Sequence, residues 1–273
     1  MKLLSGLDLA GYIEERQAHQ ARAILQALRI QPKLAIVVTV DHPAIGIYVR
    51  KKEEYGADIG VDVAVHRVAQ ADAAKTIAAL NKDDTVHGII VQLPLEDPNQ
   101  TEEIVNLVAP EKDVDALGKN AVFDPATPMA ILWLLAGYNI ELRGKQVVLV
   151  GRGRLVGAPL ERELKASGIT VVSVDKDTKD SASIISDADV IISAAGSPGI
   201  LKSDMIKHGA VVVDAGVAGE QGKTSGDLDP AIYETRDDLT LTPRKGGVGP
   251  LTVCALFENV IRAARSAANQ GQS

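Results

Sequence analysis

Apolar residues fall along this chain in alternating strand-like and helix-like runs. Leu9, Ile13, Ala21, Ile24, Leu25 and Leu28 recur at helical spacing, which predicts an amphipathic helix over Leu7–Leu28. The β-rich run Leu34–Val40 predicts the first strand. Asp41 and Pro43 then mark a helix start, since Asp accepts N–H bonds at a cap and Pro is tolerated in the first turn. That helix runs through Tyr55 and ends before Gly60. Val61–Val68 alternates as a second strand, Ala71–Leu80 is helical, and His87–Gln92 is a third strand closed by Leu93-Pro94. Thr101–Val108 is a short helix, Pro110–Asp115 a charged loop, and the breaker-rich Asn120–Pro128 a linker to a helix that begins at Met129–Leu135.

A second α/β series begins at Gln146. Val147–Val150 is a short, fully buried type of strand that runs straight into Gly151, Gly153 and Gly157, and a helical pattern with Leu160 and Leu164 follows. The spacing G-x-G-x-x-x-G is one residue longer than the usual dinucleotide fingerprint. Such a turn serves either as a tight strand-to-helix connection or as a pyrophosphate site at a helix N-terminus. Thr170–Val174 favours the second use: it ends at Asp175, about 24 residues beyond Gly151, near where the fingerprint places a ribose-binding acid. Val190–Ser193 and Val211–Asp214 add two more strands, and Gly196 follows the first of them. The Gly/Pro-dense Thr242–Thr252 leads into a last helix, Leu251–Ala264, before a polar tail expected to fray over Ser266–Ser273.

Composition narrows the function. With 273 residues and 46% apolar content the chain is long enough for two domains. Aromatics at 3% disfavour base stacking, and a net charge of −7 disfavours nucleic acid or an anionic membrane as partner. One cysteine, Cys254, excludes an internal disulfide, and no run has transmembrane length, so a cytoplasmic protein is expected. The five histidines are scattered and no metal site is expected.

Two positions carry candidate chemistry before any comparison. Tyr48 and Lys52 are four apart and share a helix face. They are either a partly buried Tyr beside a solvated Lys, or a proton-transfer pair whose lysine loses pKa by desolvation. Gln92, at the carboxyl end of a buried strand, is either a loop-capping amide or a group pointing into a ligand crevice.

Five stretches together resemble one family: Tyr48-Val49-Arg50-Lys51-Lys52, Gly88–Leu95 (GIIVQLPL), Pro110–Asp115 (PEKDVD), Val150-Gly151-Arg152 with Val156-Gly157, and Gly246–Pro250 (GGVGP). The chain resembles the bifunctional methylenetetrahydrofolate dehydrogenase/methenyltetrahydrofolate cyclohydrolases, nearly end to end. The resemblance implies an N-terminal α/β substrate domain over 1–118, rejoined by the helix 251–265. It also implies a Rossmann-like NAD(P)-binding domain over 119–250, a cleft between the two, and a homodimer. It implies Lys52 as the lysine of the hydrolytic step, Gln92 as its hydrogen-bond partner, and Tyr48 against the folate ring. Asp115 would hold the pterin's amino edge, with Gly247 and Pro250 bordering the substrate. Gly151, Arg152, Gly153, Val156, Gly157, Asp175, Lys176 and Gly196 would bind the dinucleotide.

The chain departs from the family pattern at several points. Ile45 replaces a serine, Ala116 a glycine and Lys245 a proline, Arg244 precedes it, and the loop from Ala116 to Pro125 is shortened. One activity alone, or dinucleotide binding without catalysis, are the alternative expectations. NADP is the expected cofactor, with Arg152 and Lys176 clamping a 2′-phosphate; Asp175 would suit the free 2′-hydroxyl of NAD instead.

Overall fold

The computed structural model describes residues 1–220 and 223–270, so positions 271–273 of the expected tail lie outside the described residues. In chain order the elements are β1 (Lys2–Leu3), α1 (Gly6–Leu28), β2 (Lys33–Val38), α2 (Pro43–Ile59), β3 (Asp62–Arg67), α3 (Gln70–Lys82), β4 (Gly88–Gln92), α4 (Thr101–Val105) and α5 (Ala126–Gly137). They continue with β5 (Val147–Val150), α6 (Gly157–Ala166), β6 (Val171–Val174), α7 (Ser181–Ser186), β7 (Val190–Ser193), β8 (Val211–Asp214), β9 (Ala218–Glu220), β10 (Lys223–Ser225), α8 (Ile232–Thr235), β11 (Thr240–Leu241) and α9 (Val248–Gln270). The chain divides into two compact units. One is Gly11–Ala126 with the chain from Val253 onward; the other is Met1–Ala10 with Thr127–Thr252.

The first unit is built on a three-stranded parallel sheet in the order β3-β2-β4. β2 is buried from Leu34 through Val38, which is why it reads as an unbroken apolar run rather than an alternating one. Ala35, Val37, Ile89 and Val91 face α3 and pack with Ile77 and Leu80. The intervening positions face the other way, and Val38 is in register with Gln92. Lys112 joins the acidic loop to α3: its Nζ donates to the carbonyls of Leu80, Asn81 and Asp83 at 3.1, 3.0 and 2.8 Å. A cation at that point satisfies the last carbonyls of the helix.

In the same unit α9 fixes the loop after α4. Asn259, fully buried, donates through Nδ2 to the carbonyls of Val114 and Asp124, each at 2.9 Å. A Cβ on Gly88 would stand 2.9 Å from Val114 and 3.2 Å from Val260, so β4, the loop and α9 meet there with no spare volume. Ala116 adopts φ +56°, the left-handed region a glycine enters freely and an alanine at a cost of about 1 kcal/mol. Helix α9 starts three residues before the expected Leu251 and runs through the described part of the expected frayed tail, where Ala267 and Ala268 are strong helix formers. Similarly α5 begins at Ala126, inside the expected linker.

The second unit holds a six-stranded parallel sheet ordered β1-β11-β8-β7-β5-β6. Val148, Val150, Ile191, Val212 and Leu241 form its core with Ile185 and Leu201. Met1–Ala10 groups here, whereas the sequence reading placed it in the first domain; β1 pairs with β11 at Lys2–Thr240 and Leu3–Leu241. Two-residue strands leave no periodic signal, so neither was visible in the pattern. The order of connection reverses at β5, with β6 on one side and β7 on the other. The loops after β5 and β7 therefore flank the switch point at which open α/β sheets take ligands.

Replacing Asn259 by Leu keeps the branched side-chain framework but removes the donors and orphans the two buried carbonyls. It is expected to lower the unfolding free energy by about 3 kcal/mol, read as a lower urea midpoint at unchanged slope. A loss under about 0.5 kcal/mol would show that the carbonyls find other partners.

Candidate active site

Lys52 lies on α2, one turn after Tyr48 and in the same helix as the buried Ile45 and Val49. Its Nζ donates to Gln92 Oε1 at 3.0 Å. The Gln92 amide is oriented by its own second bond, Nε2 to the carbonyl of Leu93 at 2.9 Å, so the oxygen is the atom left for the lysine. Lys52 is half-buried, and desolvation lowers its pKa; the negative charge of Asp115 opposes that shift. Burial pushes the Asp115 carboxyl up, Lys52 pulls it back, and Asp113 adds to the rise. Each member of this pair favours the charged form of the other against its own desolvation. Tyr48, one turn before Lys52 on α2, is 38% exposed.

Asp113 serves a different purpose from its neighbour Asp115. It is 3% exposed and accepts the N–H of Leu117 at 3.3 Å and of Gly118 at 2.7 Å, which shapes the turn that presents Asp115. With Val114 tied to Asn259 from behind, the acidic loop is held on both sides of Asp115. Sequence reasoning took Asp113 only as a loop charge and did not single out Asn259. The visible signal for Asn259 was a lone amide in the apolar stripe of α9, between Phe257 and Val260.

In the second unit the glycine turn follows β5. Gly151 has φ +99°, and a Cβ there would stand 2.7 Å from the Ala194 carbonyl oxygen. A Cβ on Gly157 would collide with the Gly151 carbonyl, while Gly153 borders open space. Val156 is the N-cap of α6 without a side-chain hydrogen bond; the Ala158 N–H donates to the Gly153 carbonyl at 3.1 Å and Pro159 has no N–H, so Gly157 brings the first-turn N–H for a ligand. The turn therefore fits a pyrophosphate. Arg152 Nη2 donates to the Ser173 carbonyl at 3.0 Å, and its Nη1 lies 3.7 Å from Asp175 Oδ2. Asp175 Oδ1 accepts from Thr178 Oγ1 at 2.8 Å and from the Asp177 N–H at 3.1 Å, which holds its carboxyl below the usual carboxylate range. Lys176 is exposed next to it. Gly196, at φ +64°, follows β7. Gly247 is buried against Thr242, and Pro250 stands in the first turn of α9.

The structure thus brings Lys52, Gln92 and Asp115 together in one unit, with Tyr48 on the same helix as Lys52. It brings Gly151–Gly157, Asp175 and Gly196 to the switch point of the other. Among the described residues no group of three or more His, Cys, Asp or Glu side chains is placed to hold a metal ion. Nor is any helix among them long and apolar enough to cross a membrane.

Comparison with known proteins also divides the chain in two, with bounds that differ from the packed units at residues 4–10 and along α9. Residues 4–115 match the family model described as tetrahydrofolate dehydrogenase/cyclohydrolase, catalytic domain, and residues 125–268 match the model of the same family's NAD(P)-binding domain. The chain is 39% identical over 276 residues to a bifunctional protein FolD of Cenarchaeum symbiosum, covering 96% of this chain and 97% of the relative. Among solved structures it resembles the bifunctional FolD methylenetetrahydrofolate dehydrogenase/cyclohydrolase of Campylobacter jejuni, with TM-score 0.89 and 35% identity over 97% of this chain and 99% of that one. It also resembles the Trypanosoma brucei enzyme complexed with NADP cofactor and inhibitor, with TM-score 0.89 and 28% identity over 97% of each chain. The catalytic and NAD(P)-binding halves, matched in order along one chain, make this protein a member of the tetrahydrofolate dehydrogenase/cyclohydrolase family, bifunctional enzymes of one-carbon metabolism.

Proposed function

We propose that Lys52, Gln92 and Asp115 carry the folate chemistry of this enzyme, with Tyr48 as a wall of the substrate site. The chain oxidises 5,10-methylenetetrahydrofolate to the methenyl cation and hydrolyses that cation to 10-formyltetrahydrofolate. The observation that carries the residue assignment is the 3.0 Å bond from Lys52 Nζ to the oriented Gln92 amide, in a setting that lowers the lysine's pKa. An ammonium that is easier to deprotonate exchanges protons nearer neutral pH, as hydrolysis of the methenyl carbon requires. Asp115 accepts two N–H bonds from the amidine-like edge of the pterin and, as a charge, keeps Lys52 from losing its proton too readily. Ile45, buried where the family has a serine, leaves that corner apolar, so orientation falls to Asp115 and Gln92.

Gly151, Arg152, Gly153, Val156, Gly157, Asp175, Lys176 and Gly196 hold the nicotinamide dinucleotide. The dinucleotide, when bound, supplies the hydride acceptor. For NADP, Arg152 and Lys176 clamp the 2′-phosphate, and the family resemblance supports this choice. A second reading, NAD, is favoured by Asp175: one oxygen is taken by Thr178 and Asp177, while the other faces Arg152 and would accept from a ribose hydroxyl. Gly247 and Pro250 complete the substrate surround in this proposal, 119–250 binds the dinucleotide, and the folate domain is 1–118 with the helix 251–265, its first ten residues packing in the other unit. The resemblance supports a homodimer, and the lone buried Cys254 suits a reducing cytoplasm.

Lys52→Met is expected to cut cyclohydrolase turnover by about a hundredfold or more while the dinucleotide dissociation constant stays the same. Wild-type hydrolysis in that variant would remove Lys52 from the chemistry. The pH profile gives an independent check with a definite sign. Asp115 raises the pKa of Lys52, so Asp115→Asn should move the limb of the cyclohydrolase profile that reports Lys52 to lower pH; a shift to higher pH would contradict the electrostatic picture. Asp175→Ser removes the charge beside Arg152 and should shift the ratio of kcat/KM toward NADP over NAD by about tenfold. An unchanged ratio would take Asp175 out of the ribose site.

A further inference from the structure

We propose that Asp227, outside the predicted cofactor set, is a positioning residue for the dinucleotide. It would set the shape of the loop Ala194–Ser197 that borders the glycine turn. The inference rests on the dinucleotide reading of this unit. Asp227 is fully buried, and its carboxylate accepts from the end of β7 and from that loop. Ser193 Oγ donates to Oδ2 at 2.6 Å and the Ala195 N–H to the same oxygen at 2.8 Å, while the Ser197 N–H reaches Oδ1 at 2.7 Å. Three donors converge on two oxygens, and Gly196 lies between two of the donating residues with φ +64°.

Asp227 is itself held in place. Its N–H donates to Asp214 Oδ1 at 3.0 Å, and the next N–H, of Leu228, donates to Asp214 Oδ2 at 3.0 Å. Asp214 ends β8 in register with Ser193 at the end of β7. A Cβ on Gly216 would overlap the Asp227 carboxyl, and one on Gly226 would overlap that of Asp214, so the two glycines exist to make room for the two acids. At its first residue the loop touches the phosphate turn directly, since the Ala194 carbonyl limits Gly151 to a glycine. Asp214, Asp227, the β7 loop and the β5 turn thus form a continuous hydrogen-bonded and close-packed series ending at the switch point. A buried carboxylate that gathers backbone N–H groups fixes a loop conformation more rigidly than neutral acceptors do.

The substitution that separates positioning from mere folding is Asp227→Asn. Its amide has the same size, but one of its two terminal atoms is a donor, which cannot accept from both ends of the loop. The bifunctional enzyme supplies an internal control, because hydrolysis of methenyltetrahydrofolate consumes no dinucleotide. Asp227→Asn should raise the dehydrogenase KM for NADP and for NAD, and the calorimetric dissociation constant of each, by about tenfold. Cyclohydrolase kcat and KM should stay at wild-type values. Ser193→Ala, which removes a single donor and keeps the carboxylate, should raise the same two quantities by a smaller factor, and it decides the matter if the Asn variant does not fold. Dinucleotide affinity within twofold of wild type in a folded variant, or a parallel loss of both activities, would overturn the proposal. Wild-type enzyme that bound neither dinucleotide would instead refute the underlying reading.

Discussion

The folate half of this enzyme depends on keeping a lysine inside the protein without an adjacent full salt bridge. Lys52 is stabilised by an amide oxygen at 3.0 Å and by the field of Asp115, and it is penalised by its own desolvation. A carboxylate in place of Gln92 would hold the proton firmly, and an apolar residue would expel the ammonium. An amide satisfies the donor yet leaves the charge adjustable. The packing around it follows from that need. α2 presents the lysine, β4 ends at the glutamine, and the loop after α4 carries the aspartate, tied by Asp113 within and by Asn259 of α9 behind.

The dinucleotide half is governed by a steric constraint. Gly151 and Gly157 have no space for a side chain because the β5 turn lies against the β7 loop and against itself. At the start of α6, which no side chain caps, the Gly157 N–H is the first-turn donor for an anion. Arg152 is shared between a carbonyl and Asp175, and in the proposed reading the preference between the two dinucleotides turns on how much of its charge a 2′-phosphate meets.

Much of this was legible in the sequence, and the limits have physical causes. The long buried strands and amphipathic helices gave clear periodic signals, and β5, β7 and β8 match their expected bounds. Tyr48, Lys52 and Gln92 were readable as alternatives from spacing alone, and the family motifs then chose between them. The two-residue β1 and β11 carry no periodicity, and their pairing joins the chain's first residues to a strand more than two hundred positions away. Asn259 and Asp227 were missed for a common reason. Each acts by accepting from or donating to backbone groups, and such partners leave no mark on side-chain spacing. The reach of α9 was underestimated because its polar end reads as a tail, although its alanines favour helix.

The measurement that tests the account most directly is the titration of Lys52 itself, by NMR of enzyme carrying isotopically labelled lysine, with Lys52→Met identifying the resonance. The account predicts a midpoint below the ordinary lysine value near 10.5, moving further down when Asp115 is neutralised. A midpoint at or above the ordinary value would mean that Lys52 is a solvated charge, and that the proton chemistry belongs to another group.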